Sequence, residues 1–135
     1  MFVMGITKMA YHQPRPYMVN PAINVFGCDP EYGNPSGHSI FAAAFNIFFY
    51  LDVFHAQENE NVVRGVSWKI GRGIAFFIVP SLTLLIGFAR FYVGVHTLNQ
   101  IVYGWLWGIW LGFYFHFCIR EPTIAHVESI LLNEG

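Results

Sequence analysis

Residues 91–119 read FYVGVHTLNQIVYGWLWGIWLGFYFHFCI, without a single Asp, Glu, Lys or Arg. A membrane-spanning helix needs about 20 predominantly apolar residues, so this stretch predicts one over about residues 98–119. Gly104, Gly108 and Gly112 recur every four residues and would form a stripe along one face of that helix. Such a stripe lets a neighbouring helix approach closely, and we interpret it as a packing feature.

Two further segments upstream have the length and apolar character of membrane helices. The first covers about residues 36–54, where Asn46 and Asp52 are the main polar interruptions. The second covers about residues 70–89, has no charged residue from position 73 onward and contains Pro80, which predicts a kink. The sequence therefore predicts an all-α fold, a polytopic transmembrane bundle with three membrane helices in this chain.

The composition supports the same class. Of the 135 residues, 55% are hydrophobic and 11% are charged, whereas a soluble domain carries about 25% charged residues. The net charge of -1 and the absence of a basic run argue against binding to nucleic acid. The histidines lack the spacing of metal ligands, so no metal and no cofactor is predicted. Cys28 and Cys118 receive no role.

The chain reads as one domain, residues 1–135. Residues 9–35 are interrupted repeatedly by Pro and Gly and predict an irregular segment over the membrane surface. Residues 55–69 are polar and predict an extramembrane loop. Three crossings place residues 9–35 on the same side as the link before the third helix. Seven polar side chains then share that face, namely Lys8, Arg15, Ser36, His38, Arg90, His96 and Gln100.

Cations and imidazoles at a membrane boundary are costly unless they bind an anion, and a phosphate suits this set. Arg15 and Arg90 each offer a planar fork of donors to phosphate oxygens, and Lys8 adds a compact charge. The Ser36-Gly37 turn would present backbone N–H groups at a helix N-terminus.

Two histidines supply the groups that phosphate transfer needs. A neutral imidazole attacks phosphorus, and a protonated one delivers a proton to the departing oxygen. His96 and Gln100 lie four residues apart and share a helix face. The Gln100 carbonyl can therefore orient one ring nitrogen of His96, in the manner of the third member of a catalytic triad.

These residues form three ordered blocks that resemble the signature of the type 2 phosphatidic acid phosphatase superfamily. The blocks are Lys8 with Arg15-Pro16, then Pro35-Ser36-Gly37-His38, then Arg90 with His96 and Gln100. The resemblance covers about residues 8–119. It implies the last half of a six-helix family fold, beginning at a stub of the helix that precedes Lys8. Either the sequence is partial, or a partner supplies the missing packing surface.

The resemblance also implies a function and the role of each residue. The function is metal-independent hydrolysis of a lipid or polyprenyl phosphate or diphosphate, or of another phosphomonoester. His96 would form a phosphohistidine, and His38 would protonate the leaving group. The phosphate would be held by Lys8, Arg15, Arg90, Ser36 and the Gly37 backbone.

The third block departs from the usual family pattern at two positions. Ala89 stands where the family usually has Ser, which removes a hydroxyl donor, and Gln100 stands where it commonly has Asp. Gln at this place resembles the dolichyl-diphosphate phosphatase and glucose-6-phosphatase branches. Residues 96–104 are particularly similar to the dolichyl branch.

Other interpretations remain open at this stage. The chain could be a truncated, inactive relative that serves as a structural subunit of a membrane assembly, a hypothesis motivated by its length and its glycine stripe. Lys8 and Arg15 could be interfacial anchors. Asp29 and Glu31 could order the segment before Pro35 or repel a competing anion.

The remaining cations predict the orientation of the chain in the membrane. Arg64, Lys69, Arg72 and Arg120 all fall on the side away from the predicted site. The positive-inside rule places that side in the cytosol, so the site would face a lumen or the exterior.

Overall fold

The computed structural model describes residues 2–25, 29–55 and 65–133. The described residues form helices in the order α1 (Phe2–Tyr11), α2 (Pro16–Val19), α3 (Gly37–Phe54), α4 (Val66–Tyr92), α5 (Leu98–Tyr114), a π-helical turn (Phe115–Ile119) and α6 (Arg120–Asn133). Within these described ranges, three helices are long and apolar enough to cross a membrane: α3, α4 and the continuous stretch Leu98–Leu132. The predicted all-α bundle with three membrane-length helices is confirmed.

Several elements extend beyond their predicted bounds. α4 begins at Val66 because nothing in its first turn breaks a helix, and it ends at Tyr92, shortly before Gly94 turns the chain with φ of 76°. The third helix continues past residue 119 into α6. Pro122 lacks an N–H and its ring crowds the carbonyl four residues earlier, and the preceding π-helical turn, Phe115–Ile119, relieves that crowding.

The segments outside the membrane helices differ in part from the prediction. Residues 9–35 are not wholly irregular, since α1 runs to Tyr11 and α2 forms a single turn. Most of the predicted loop at 55–69, including Arg64, lies outside the described residues, as does Cys28.

The glycine stripe of α5 packs directly on the backbone of α3. A Cβ on Gly104 would lie 2.7 Å from the Ser36 carbonyl oxygen, and one on Gly108 would lie 2.5 Å from that of Ile40. The next turn repeats the pattern, since a Cβ on Gly112 would lie 3.0 Å from the Ala44 carbonyl oxygen. The two helices therefore approach more closely than any side chain at these positions permits.

α4 packs against this pair, and two of its contacts are specific. Near its C-terminal end, Gly87 contacts α5 so closely that a Cβ there would overlap Cζ2 of Trp105. Lower in the bundle, the Asn46 side-chain amide of α3 donates to Thr83 Oγ1 at 2.9 Å. The Gly87 contact brings the last turn of α4, which carries Arg90, next to the N-terminal end of α5.

The interior of the described part is more polar than its surface. Its buried hydrophobic residues are Ile40, Ala42, Ala43, Val95 and Ile101, whereas the larger set of buried polar residues includes Lys8, Arg15, Asn34, Ser36, Ser39, His96 and Gln100. Large apolar side chains point outward along α4, such as Phe77 and Leu85. This inverted distribution suits a surface that faces lipid and an interior that holds a polar site.

We expect Gly108→Ala to destabilise the bundle by about 1–3 kcal/mol, because the added methyl group meets the α3 backbone and forces the helices apart. Gly73→Ala is the matched control, since Gly73 lies in α4 with nothing within 4 Å of the position that an added methyl group would take, and alanine favours the helix. Thermal unfolding in detergent, followed by circular dichroism, compares them. Equal midpoints for the two variants would contradict this account of the stripe.

Candidate active site

The N-terminus of α5 orients the imidazole of His96. Thr97 is the N-cap residue, and it forms a capping box with Gln100: Thr97 Oγ1 accepts from the Gln100 N–H at 3.3 Å, and Gln100 Oε1 accepts from the Thr97 N–H at 3.2 Å. The same Oε1 lies 3.2 Å from His96 Nδ1. Because an amide oxygen only accepts, this contact assigns the proton to Nδ1 and leaves the lone pair on Nε2.

Gln100 also joins the three sequence blocks. Its Nε2 donates to the Pro14 carbonyl at 3.0 Å, next to Arg15, and its backbone carbonyl accepts from the Ser36 N–H at 2.9 Å. Gly33 packs against the amide so closely that a Cβ there would lie 2.6 Å from Oε1. One buried side chain thus connects the segment before α2, the start of α3 and His96.

A cavity of about 680 Å³ opens at this end of the bundle. Its wall includes six of the eight residues that the sequence singled out, namely Lys8, Arg15, Gly37, His38, Arg90 and His96. The predicted convergence of three separate blocks is thus present in the fold. Arg90 carries a buried Nε that has no hydrogen-bond partner among the described residues.

Ser36 and Gln100 are not among the residues that line this cavity. The Ser36 hydroxyl is fully buried and acts as the N-cap of α3, accepting from the Ser39 N–H at 3.4 Å and from the Ser39 hydroxyl at 3.0 Å. Ser36 therefore shapes the turn that presents Gly37 and His38 to the cavity.

Two carboxylates enter the cavity beside the cations. Lys8 forms an ion pair with Glu31, and Arg15 forms one with Asp29. Arg15 Nε also donates to the Glu31 carbonyl oxygen at 2.8 Å. The sequence drew attention to both acids without assigning them a contact.

The lower wall of the cavity is apolar and was not predicted from the sequence. Phe41 and Phe45 of α3 line it, together with Leu111 of α5 and Phe115 of the π-helical turn. The sequence does carry a signal for this wall, because the two residues of each pair are four positions apart and so lie on one helix face. Phe41 and Phe45 share a face with His38, and Leu111 and Phe115 lie beside the glycine stripe. The cavity follows α3 from Gly37 to Asn46, a rise of about 14 Å.

Electrostatics in the site favour a neutral His96. Burial, followed by the positive charge of Arg15 and of Arg90, lowers the pKa of His96 to about 4, although the hydrogen bond with Gln100 acts in the opposite direction. For Asp29, burial tends to raise the pKa, but the Glu31 N–H and the nearby cations outweigh it and the pKa is lowered. At neutral pH the site therefore combines an uncharged imidazole with an ionised carboxylate.

No metal centre was predicted. Within residues 2–25, 29–55 and 65–133, no group of three or more His, Cys, Asp and Glu side chains is placed to hold a metal ion.

Comparison with known proteins relates this arrangement to one family. The sequence profile of the PAP2 superfamily matches residues 1–123. An undecaprenyl-diphosphatase of Sulfolobus acidocaldarius is 27% identical over 131 residues, which cover 96% of this chain and 55% of that protein. Human dolichyldiphosphatase 1 is 27% identical over 78 residues, which cover 58% of this chain and 32% of that protein.

A solved structure shares the fold. The PAP2-type phosphatidylglycerolphosphate phosphatase of Bacillus subtilis, a transmembrane protein, superposes with a TM-score of 0.67 at 20% identity. The match covers 83% of this chain and 49% of that protein. The chain spans about half the length of the proteins it resembles, or less.

We expect His96 to remain neutral, with the proton on Nδ1, from pH 8 down to about pH 5, because its pKa is about 4. Nitrogen NMR of the ¹⁵N-histidine-labelled chain in nanodiscs measures both the tautomer and the titration, and His96→Asn assigns the signal. Gln100→Glu should raise the pKa of His96, since a carboxylate stabilises the imidazolium. Asn99→Asp adds the same charge on an exposed neighbour and should raise it less. A wild-type ring that titrates near pH 6.5 would contradict this description of the site.

Proposed function

The chain belongs to the PAP2 superfamily, and on that premise we propose that it is an integral-membrane phosphatase acting on a polyprenyl diphosphate or another lipid phosphate. The observation that carries this proposal is the composition of one cavity. Its upper end gathers cations and histidines from three separate blocks, and its lower end is lined by apolar side chains of α3 and of the stretch Leu98–Leu132, both long and apolar enough to cross a membrane. A substrate with an anionic head and an apolar tail matches both ends.

The relatives support the diphosphate class. Two of the similar proteins are named for undecaprenyl diphosphate and dolichyl diphosphate. A diphosphate carries more negative charge than a monophosphate, which suits a wall with the cations Lys8, Arg15 and Arg90.

The first chemical step transfers the terminal phosphoryl group to His96. The Nε2 lone pair attacks phosphorus, a nitrogen–phosphorus bond forms, and the bond from phosphorus to the leaving oxygen breaks with its electron pair. His38 donates a proton to that oxygen, so the lipid departs as an alcohol or a monophosphate. The guanidinium groups of Arg15 and Arg90 stabilise the charge on the equatorial oxygens.

The second step regenerates the site. His38, now neutral, accepts a proton from a water molecule while that water attacks phosphorus, and the nitrogen–phosphorus bond breaks to release inorganic phosphate. Gln100 orients the ring throughout through its contact with Nδ1. As a neutral amide it stabilises an imidazolium less than a carboxylate does, which agrees with a nucleophile that is uncharged before attack.

The orientation of the site follows from the positive-inside rule. Lys69 and Arg72 lie at the start of α4, and Arg120 lies at the start of α6, at the end of the bundle away from the cavity. We assign that end to the cytosol and the cavity to a lumenal or exterior face.

One of the observations that suggested the rival hypothesis, a structural subunit, has another explanation. The glycine stripe packs on α3 within this chain, so it does not indicate a helix supplied by another protein. The fragment-like length remains its main argument, and an activity assay separates the two hypotheses.

We expect the purified chain to release phosphate from a polyprenyl diphosphate in the presence of a chelator, and His96→Ala to lower kcat at least about a thousandfold by removing the nucleophile. His126→Ala, an exposed α6 histidine, is the control and should retain wild-type turnover. Brief incubation with ³²P-labelled substrate and alkaline quenching should trap an acid-labile phosphoprotein in the wild type and none in His96→Ala.

We expect His38→Ala to lower kcat/KM for an alkyl phosphomonoester such as phosphatidic acid much more than for p-nitrophenyl phosphate, because an alkoxide must be protonated as it leaves and nitrophenolate need not be. The measurement is kcat/KM for both substrates in the wild type and the variant, since this ratio reports the steps up to departure of the leaving group and not the later hydrolysis in which His38 acts as the base. Equal losses of kcat/KM on the two substrates would show that His38 does not act as the acid. A wild type that turns over neither substrate, yet purifies in a fixed ratio with larger membrane proteins, would favour the subunit hypothesis.

A further inference from the structure

The cations that would hold phosphate are already paired with acids of this chain. Glu31 contacts Lys8, and Asp29 contacts the terminal guanidinium nitrogen of Arg15. Both acids line the same cavity as His96. The carboxylate oxygens therefore take donors that a phosphate oxygen would need.

The two sides of these ion pairs differ in burial. The Lys8 and Arg15 side chains are 10% and 4% exposed, whereas those of Glu31 and Asp29 are 60% and 48% exposed. A buried cation has few alternative positions, while a half-exposed carboxylate regains water when it leaves. The carboxylate is thus the partner that an incoming anion displaces more easily.

Within the described part of the chain, the side chains of the two acids make few other hydrogen bonds, so they can leave the cations without disrupting their segment. Among the described residues, the Glu31 carboxylate accepts one hydrogen bond, which Lys8 donates. Asp29 is held more firmly, because its Oδ1 also accepts from the Glu31 N–H at 3.1 Å. The Arg15 Nε contact goes to the Glu31 backbone carbonyl, so it survives rotation of the Glu31 side chain.

The net charge of the cavity wall affects how tightly an anion that displaces a carboxylate can bind. The cavity wall holds three cations, Lys8, Arg15 and Arg90, and two carboxylates, so the formal charge of these five side chains, without the histidines, is 3 - 2 = +1. Neutralising one acid raises this charge to +2 and frees a donor. An anion binding to such a wall gains attraction and no longer has to replace that internal partner.

We propose that Asp29 and Glu31 are internal competitors of phosphate, which pair with the cations Lys8 and Arg15 and thereby set the affinity for substrate and for released phosphate. The inference rests on the proposed function of this cavity. It differs from both hypotheses that the sequence left open for these acids, ordering of the segment or repulsion of a competing anion, because the ion pairs place the acids on the cations themselves.

Glu31→Gln is the primary test because it removes charge while it retains size. We expect inorganic phosphate to inhibit this variant with a constant about 1.5- to fivefold lower than in the wild type, in the range expected for a partly exposed ion pair. KM for the lipid substrate should fall in parallel, and kcat should not rise, since phosphate leaves more slowly. Asp29→Asn, which retains the acceptor for the Glu31 N–H, should shift the constants in the same direction.

Two controls separate this effect from general changes in charge or fold. Glu128→Gln removes an exposed carboxylate from α6, away from the cavity, and should leave the phosphate constant unchanged. Lys8→Gln should weaken phosphate inhibition. Thermal unfolding by circular dichroism verifies that each variant is folded. A raised or unchanged phosphate constant in folded Glu31→Gln would overturn the proposal and assign the acids to ordering the cations.

A direct binding measurement keeps this test independent of turnover. Isothermal titration calorimetry of inorganic phosphate into His96→Ala, with and without Glu31→Gln, needs no catalysis. An inactive wild type with tighter phosphate binding in the double variant would refute the phosphatase proposal and support the competition. If the wild type is active but Glu31→Gln leaves the phosphate affinity of His96→Ala unchanged, the phosphatase proposal is supported and the competition is refuted.

Discussion

The buried amide of Gln100 is the contact on which the site depends. Its oxygen accepts from Thr97 and faces His96 Nδ1, its nitrogen donates to Pro14, and its backbone carbonyl accepts from Ser36. A carboxylate at this position would orient the ring equally well but has no proton for the Pro14 carbonyl. Gln therefore gives up electrostatic support for a charged imidazole and gains a fixed connection to the segment that carries Arg15.

The close approach of α3 and α5 is the second constraint, and it acts on the same residues. The stripe begins at Gly104, one turn after Gln100, and its first contact is the carbonyl of Ser36, the N-cap of α3. The close contact between the helices therefore begins beside the site, and it fixes the height of His38 relative to His96. Without apolar attraction between helices in lipid, this packing and the polar contacts near Gln100 must hold the bundle together.

The sequence predicted more of the site than of its surroundings, for physical reasons. Membrane helices and ordered blocks of cations and histidines leave strong local signals, so α3, α4, α5 and the cavity cations were identifiable. The ends of the helices were harder to predict. The third helix continues past residue 119 because a π-helical turn accommodates Pro122, and that turn depends on how the backbone relaxes. The pairing of Glu31 with Lys8 joins residues 23 positions apart through a segment without periodicity. Only the fold brings Glu31 and Lys8 together. From the sequence, Asp29 and Glu31 could equally order their segment or repel an anion.

The chain spans about half of its relatives or less, yet the described contacts that build the site all lie within it. Gln100 is hydrogen-bonded to Pro14, Ser36 and His96, and Lys8, Arg15, Arg90, His38 and His96 line one cavity. The outward apolar face of α4, by contrast, takes little part in that network. The geometry on which the proposed phosphate chemistry depends is therefore formed by contacts within this chain. A partner packed on α4 would act on stability and on the path of the proposed lipid tail, and would leave the orientation of the His96 ring to Gln100.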